Sequence, residues 1–257
     1  MEAQEQLVRT KADGAVTTIT LDSPRNANAL SSRLLSELLA ALDSAVSGQA
    51  TRVIVLTAVG KAFCAGADLK ETAVNPTAAA PLMADVLQAL WDCPKPVVCR
   101  VNGAARAGGI GLIAACDIAV APEDVSFAFS EVRIGVVPAV ISVPCLRRMP
   151  SRAAYEYFLT GEVFQARRAV EIGLLTKAVE AEFLDAATSR YVQALLRGGP
   201  TALAGTKEVL RDGITESFSG GVERMSRLSA AFFASEEAAE GRAAFAAKRE
   251  PSWVPAS

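Results

Sequence analysis

The stretch VVCRVNGAARAGGIGLIAACDIAVA, residues 97–121, decides the fold. Val97 to Val101 is an unbroken apolar run, the pattern of a strand covered on both faces. Asn102 to Gly108 is rich in small residues and turns the chain. Gly109 to Cys116 then reads as a helix, and Asp117 to Ala121 as the next strand. Toward the N-terminus the same alternation continues. Ala78 to Trp91 is helical and stops at Pro94 and Pro96, and Val53 to Thr57 (VIVLT) is another buried strand. Ser31 or Ser32 caps a helix with an apolar stripe of Leu34, Leu35, Leu38, Leu39, Leu42 and Val46, ended by Gly48. Ala15 to Leu21 is a β-branched strand entering the turn Asp22-Ser23-Pro24. Val59 to Ala67 reads as a loop. Toward the C-terminus Phe127 to Phe129 is a short strand, and from Pro138 the segments 139–149, 152–160, 166–172, 182–197, 201–211, 216–234 and 236–248 all read as helices. The pattern is α/β, a mainly parallel sheet with helices outside it, followed by a helical region. There is no low-complexity linker and no fixed-period repeat.

The chain has 257 residues, 51 % hydrophobic and 21 % charged, with a net charge of −2. That length suits one large domain or one with an appendage. The charge balance offers no basic field for nucleic acid and no polybasic membrane segment. No apolar run is long enough to span a bilayer, and Met1 to Thr10 carries both charge signs with no signal-peptide core, so the expected location is the cytoplasm. Five cysteines without a CxxC suggest neither a disulfide framework nor a zinc site. The absence of histidine excludes a Ser-His-Asp triad, a Cys-His pair, an HExxH zinc site and a histidine base. Proton transfer falls to Glu, Asp, Lys, Tyr, Cys or water.

Three segments carry candidate chemistry. In VGKAFCAGADLK (59–70) a strand gives way to small residues, and Asp68 can start a helix whose unpaired N–H groups can hold a developing negative charge. A tight β–α loop is the plain alternative. In VNGAARAGGIGL (101–112), Gly109-x-Gly111-x-x-Ala114 formally matches a dinucleotide fingerprint. The glycines stand seven residues past the strand and behind two earlier βα units, so a second anion-stabilising N–H near Gly108 is the better reading. In SFAFSEVRIGVVP (126–138), Glu131 lies between aromatic and aliphatic runs, where desolvation raises a carboxyl pKa and suits it to proton transfer. Pairing with Arg133, or capping the next helix, is the structural alternative.

Taken together, LDSPRNANAL (21–30), GKAFCAGADLKE (60–71), VNGAARAGGIGLIAACDIAVAPE (101–123), FSEVRIGVVPA (129–139), YFLTGEVFQARRAVEIGLLTKAV (157–179) and AAFAAKREPSW (243–253) resemble the enoyl-CoA hydratase/isomerase, or crotonase, family over nearly the whole chain. The resemblance implies a crotonase-like spiral of ββα units over residues 1–195 and a helical C-terminal trimerisation region over 196–257. It implies an acyl-CoA thioester as substrate, with coenzyme A belonging to the substrate and no separate cofactor, and a homotrimer or a hexamer of paired trimers. The thioester oxygen maps onto the backbone N–H groups of Ala67 and Gly108, and the acid/base onto Glu131. The substrate would run past Ala27, Ala29, Ala65, Asp68 and Leu69, with Ile134 at the same site and Phe245 and Lys248 reaching coenzyme A from a neighbouring subunit. Hydratases of the family use two glutamates. The position of one is Gly111 here. Arg106 stands where an apolar residue is usual, and Ala107 where a glycine is. In motif style the chain is similar to bacterial methylglutaconyl-CoA-type hydratases, which suggests that Arg106 meets a distal substrate carboxylate or else a subunit contact. The expected reaction is hydration of a 2-enoyl-CoA by a hydro-lyase. The alternatives are Δ3-Δ2-enoyl-CoA isomerisation by the single Glu131, or a non-catalytic acyl-CoA-binding homologue.

Overall fold

The computed structural model describes residues 6–75, 77–212 and 218–255. Two sheets carry the fold. The larger has six strands in the order β1-β2-β3-β5-β7-β10, and the smaller has four in the order β4-β6-β8-β9. In chain order these are β1 (Val8–Asp13), β2 (Val16–Leu21), β3 (Val53–Ala58), β4 (Ala62–Cys64), β5 (Val97–Arg100), β6 (Ala104–Arg106), β7 (Ile118–Pro122), β8 (Ser126–Ala128), β9 (Phe164–Gln165) and β10 (Lys177–Val179). β1 and β2 form an antiparallel hairpin, whereas β2, β3, β5, β7 and β10 run parallel. β4, β6 and β8 are parallel to one another, and β9 closes that sheet antiparallel to β8.

The helices are α1 (Ser32–Ser47), α2 (Leu69–Val74), α3 (Ala79–Asp92), α4 (Gly108–Ala115), α5 (Ala139–Arg148), α6 (Ser151–Thr160), α7 (Ala166–Glu171), α8 (Leu184–Arg197), α9 (Pro200–Asp212), α10 (Phe218–Phe233) and α11 (Glu236–Ala246). Ser31 caps α1 by accepting from the Leu34 N–H, as its sequence position suggests. All six residues of β3 are buried, which accounts for its unbroken apolar run. From Gly109 to Ala115 every residue of α4 is buried, so this helix has no polar face and lies inside the molecule.

The architecture repeats although the sequence does not. Each of three parallel strands of the large sheet is followed, after the same three-residue link, by a short strand of the small sheet. Ala58 leads to Ala62, Arg100 to Ala104, and Pro122 to Ser126. A helical segment then returns the chain. These are the expected ββα units. The short strands β4 and β6 lie where the sequence reads as loop and turn, because three-residue strands of alanine and one or two larger residues carry no periodic signal. β10 is a second departure. It falls between the expected helices 166–172 and 182–197, where no strand is expected, and it forms an edge of the large sheet beside β7. Residues 216 and 217 of the expected helix 216–234 lie outside the described residues.

Candidate active site

Ala67, Gly108 and Glu131 occupy equivalent places in the three ββα units. Each lies two or three residues beyond the C-terminal end of its short strand, after Cys64, Arg106 and Ala128 respectively. Since β4, β6 and β8 are adjacent and parallel, their C-terminal ends point the same way, which is where open parallel sheets bind ligands.

The amide of Ala67 is set by its neighbours. The Leu30 N–H donates to Gly66 O at 2.7 Å, and the Asp68 N–H donates to Leu30 O at 3.3 Å. This is a one-residue parallel bridge between Leu30 and Ala67. In such a bridge the central residue's own N–H points away from the partner. Ala67 is exposed, and among the described residues its N–H has no acceptor. Asp68 caps α2 by accepting from the N–H groups of Lys70 (3.0 Å) and Glu71 (3.3 Å), and its other oxygen takes a bond from Asn26 Nδ2.

Gly108 is the first residue of α4, where backbone N–H groups have no intrahelical partner and the helix dipole is positive. It is partly exposed, and among the described residues its N–H likewise lacks an acceptor. A Cβ at Gly108 would stand 2.6 Å from Leu30 Cδ1, so the end of that side chain would have to move aside for any larger residue. The preceding Ala107 has φ 49° and ψ −120°, a conformation costly to an L-residue. It is held there by its N–H bond to Ala128 O and by accepting from Ile110 N–H.

Glu131 sits in the 3₁₀ turn Ser130–Ile134. Phe129, fully buried against Phe158 with ring centroids 4.1 Å apart, anchors the start of that turn. Oε2 of Glu131 is buried and has no hydrogen-bond partner among the described residues. Burial pushes its carboxyl pKa up, against a smaller lowering by its own backbone N–H. Burial, and secondarily the Glu131 carboxylate, push up the thiol of the buried Cys145 on α5. Ile141, one turn earlier on that helix, presses on Gly111. A Cβ at Gly111 would stand 2.6 Å from Ile141 Cγ2, 3.0 Å from Ile141 Cβ and 3.3 Å from Met83 Cε. Apolar groups therefore fill the place of a side chain at position 111. No sequence signal singled out Ile141 or Met83, since each reads as ordinary helix core.

The remaining expected residues divide. Ala27 and Ala29 flank Asn28 on a segment that pairs with 65–68, and the Ala65 N–H donates to Ala27 O at 3.0 Å. Ala65, Leu69 and Ile134 are exposed, Ile134 together with Val136 and Val137 just past Glu131. The structure does not bring Arg106 to this group. Its guanidinium turns back along β8, donating to Ser126 O at 2.6 Å and Ser126 Oγ at 2.9 Å, and burial lowers its pKa. Phe245 and Lys248 are also apart from it within one chain. Phe245 is 87 % exposed; α11 is joined through Glu237 to the first turn of α9, and the segment after it is tied by Trp253 O to Arg52, just before β3, which also holds the carbonyls of Leu196 and Gly198. The described residues contain no cluster suited to a metal ion.

The enoyl-CoA hydratase/isomerase family model matches residues 11–255. The chain belongs to the enoyl-CoA hydratase/isomerase family. An enoyl-CoA hydratase structure from Shewanella pealeana is 35 % identical with a TM-score of 0.89, covering 96 % of each chain. One from Mycobacterium smegmatis is 33 % identical with a TM-score of 0.91, covering 97 % of this chain and 99 % of the other. The rat mitochondrial enoyl-CoA hydratase domain-containing protein 3 is 30 % identical over 257 residues, 98 % of this chain and 86 % of that protein. The fold is thus the crotonase fold, and the family acts on acyl-CoA thioesters. Among the described residues no helix is long and apolar enough to cross a membrane.

Proposed function

We propose that this chain adds water across the 2,3 double bond of an enoyl-CoA thioester, and removes it in reverse, through an enolate held by the amides of Ala67 and Gly108. The observation that carries the reading is the buried Oε2 of Glu131, without a partner among the described residues, at the third of three equivalent ends of adjacent parallel strands whose other two carry amides without acceptors. As water attacks Cβ, the π electrons move to the thioester oxygen. Each amide aimed at that oxygen contributes about 3–4 kcal/mol in a site of this type. Glu131 takes the proton released by the attacking water and returns it to Cα, so one carboxylate serves as base and then acid. Coenzyme A enters as part of the substrate. Turnover of a panel of 2-enoyl-CoA esters, followed by loss of the conjugated-thioester absorbance, tests the assignment. It fails if no ester is hydrated.

A second reading is a Δ3-Δ2-enoyl-CoA isomerisation. The packing of Ile141 and Met83 against Gly111 favours it, because a 1,3-proton shift needs one carboxylate only. Glu131 would remove a proton from C2 of a 3-enoyl-CoA and return it to C4. Conjugation is gained in that case and lost in the first. A third reading, a binding homologue without turnover, has only the Gly111 substitution to favour it. We further take residues 196–257 as the trimerisation region of a homotrimer or hexamer, with Phe245 and Lys248 offered to coenzyme A on a neighbouring copy, and the cytoplasm as the location. The exposure of Phe245 supports the first of these. Arg106, engaged with Ser126, has no substrate role in this scheme.

A further inference from the structure

Asn28 is fully buried and holds φ 56°, in the left-handed region that asparagine tolerates better than most residues. Its carboxamide makes three bonds. Oδ1 accepts from the Ser23 N–H at 2.8 Å, and Nδ2 donates to Val59 O at 2.9 Å and Ala62 O at 3.0 Å. Both Nδ2 hydrogens are thereby used. Val59 follows β3 and Ala62 opens β4, so this one side chain spans the link between the two strands of the first ββα unit. The backbone on either side of Asn28 grips the far end of β4. Ala27 O takes the Ala65 N–H, while Leu30 holds Gly66 O and the Asp68 N–H. The strand that delivers Ala67 is therefore clamped at its start by the Asn28 side chain and at its end by the Asn28-centred segment. Among the described residues the other donor has no fully buried side chain that spans its strand link in this way. Gly108 is aimed by the pairing of β6 with β8, by Ala107 N–H to Ala128 O, and by single exposed or part-buried side-chain ties from Arg106 to Ser126 and from Asn102 to Gly60.

We infer that Asn28 is the positioning residue for the Ala67 amide, fixing its direction toward the thioester oxygen while itself making no contact with substrate. The inference rests on the oxyanion role given above to Ala67 and Gly108. At no exposure the side chain cannot touch a ligand, so its effect must pass through the loop.

The test uses Asn28→Gly, which keeps the positive φ and removes only the three side-chain bonds, and Asn28→Asp, which keeps an acceptor for Ser23 but loses both donors. Asn102→Ala is the control. It removes a bond from Asn102 Nδ2 to Gly60 O in the same link while leaving all three Asn28 side-chain bonds in place. Difference infrared spectra of a bound enoyl-CoA report carbonyl polarisation without turnover. Wild type and Asn102→Ala should show the same downshift of the thioester stretch. Both Asn28 variants should lose at least half of it, with kcat lowered about 10²- to 10³-fold, the scale of a misplaced or lost oxyanion donor. KM should change less than kcat, because the main-chain bonds of Ala27 and Leu30 to residues 65–68 remain, and the pH midpoint set by Glu131 should not move. A variant that melts early yet keeps the full carbonyl shift and kcat overturns the inference and leaves the functional reading standing. A wild-type protein with no carbonyl shift overturns both. If Asn28→Gly does not fold, Asn28→Asp alone decides.

Discussion

Replacing Gly111 by alanine should destabilise the protein, although alanine is the better helix former. A Cβ there would stand 2.6 Å from Ile141 Cγ2 and 3.0 Å from Ile141 Cβ, well inside the 3.4 Å at which ordinary contact begins. Neither side can yield cheaply. Gly111 is buried in α4, Ile141 is 4 % exposed, and Met83 closes the remaining side at 3.3 Å. Over-packing a filled core costs about 1–3 kcal/mol. Removing a helical glycine returns about 0.5–1 kcal/mol. The net expectation is a loss of about 1–2 kcal/mol and a Tm lower by about 2–8 °C for a chain of this size. Thermal and urea denaturation at fixed protein concentration measure it. The partner is identified by a cycle with Ile141. Ile141→Ala removes the clashing Cγ2 at a cost of about 2–5 kcal/mol for the cavity, and Gly111→Ala should then be neutral or stabilising, a coupling of about 1 kcal/mol or more. Ile141→Val keeps a methyl at the Cγ2 position and should give no relief. A Gly111→Ala protein as stable as wild type, or strictly additive effects with Ile141→Ala, would refute the claim that apolar packing has closed this position. The same packing predicts that Gly111→Glu cannot install a second acid beside Glu131.

Ala107→Gly should stabilise the fold. Relief of a φ of 49° at a non-glycine residue is worth about 1–3 kcal/mol, against about 0.5–1 kcal/mol for the added chain freedom of glycine. A Tm rise of a few degrees checks it, and a fall would show that the Ala107 methyl contributes more by packing than its backbone costs. For Glu131 the sign follows from burial, which raises its pKa in the folded chain. The native state then holds its proton to a higher pH than the unfolded chain does. This group's contribution to stability is therefore greatest in acid and declines as pH rises through the folded pKa. Glu131→Gln should accordingly be more stable than wild type at neutral pH, and the advantage should vanish below the ordinary carboxylate range. Equal stability at all pH values would contradict the desolvation. Wild-type turnover, which needs the carboxylate as base, should fall on the acid side with a midpoint above that ordinary range.

The large-scale order of the molecule was readable because its signals are long. The buried run of β3, the capped stripe of α1 and the proline-stopped α3 each extend over several residues with one consistent pattern. The equivalence of Ala67, Gly108 and Glu131 was not readable as a repeat. It rests on links of equal length between strands that recur at unequal intervals, with helices of different size between them. β6 hides in Ala104-Ala105-Arg106, which has no alternation to detect, and it becomes a strand only because β4 and β8 flank it. Ala107 adopts a backbone that its side chain disfavours, so local preference pointed elsewhere. Asn28 gave no signal in the sequence, because its burial and left-handed backbone appear only in the folded chain. A buried polar residue in the left-handed region must find partners, but nothing in the linear order says that those partners are Val59 and Ala62. Arg106 stood out as an unusual charge, and its engagement by Ser126 is a contact between neighbouring short strands that only the folded register discloses.

Hydration and isomerisation both pass through a thioester enolate, β-hydroxylated in the first and conjugated in the second, with Glu131 as the proton carrier and the Ala67 and Gly108 amides as its anchor. The most direct measurement is exchange of the α-protons of a saturated acyl-CoA with D2O, followed by NMR, which needs neither a double bond nor net turnover. Wild type should exchange an α-proton catalytically, and Glu131→Gln should be slower by about 10²–10⁴-fold, the usual share of a positioned acid/base. Exchange at the wild-type rate in Glu131→Gln, or none in wild type while the ester still binds, would contradict the account.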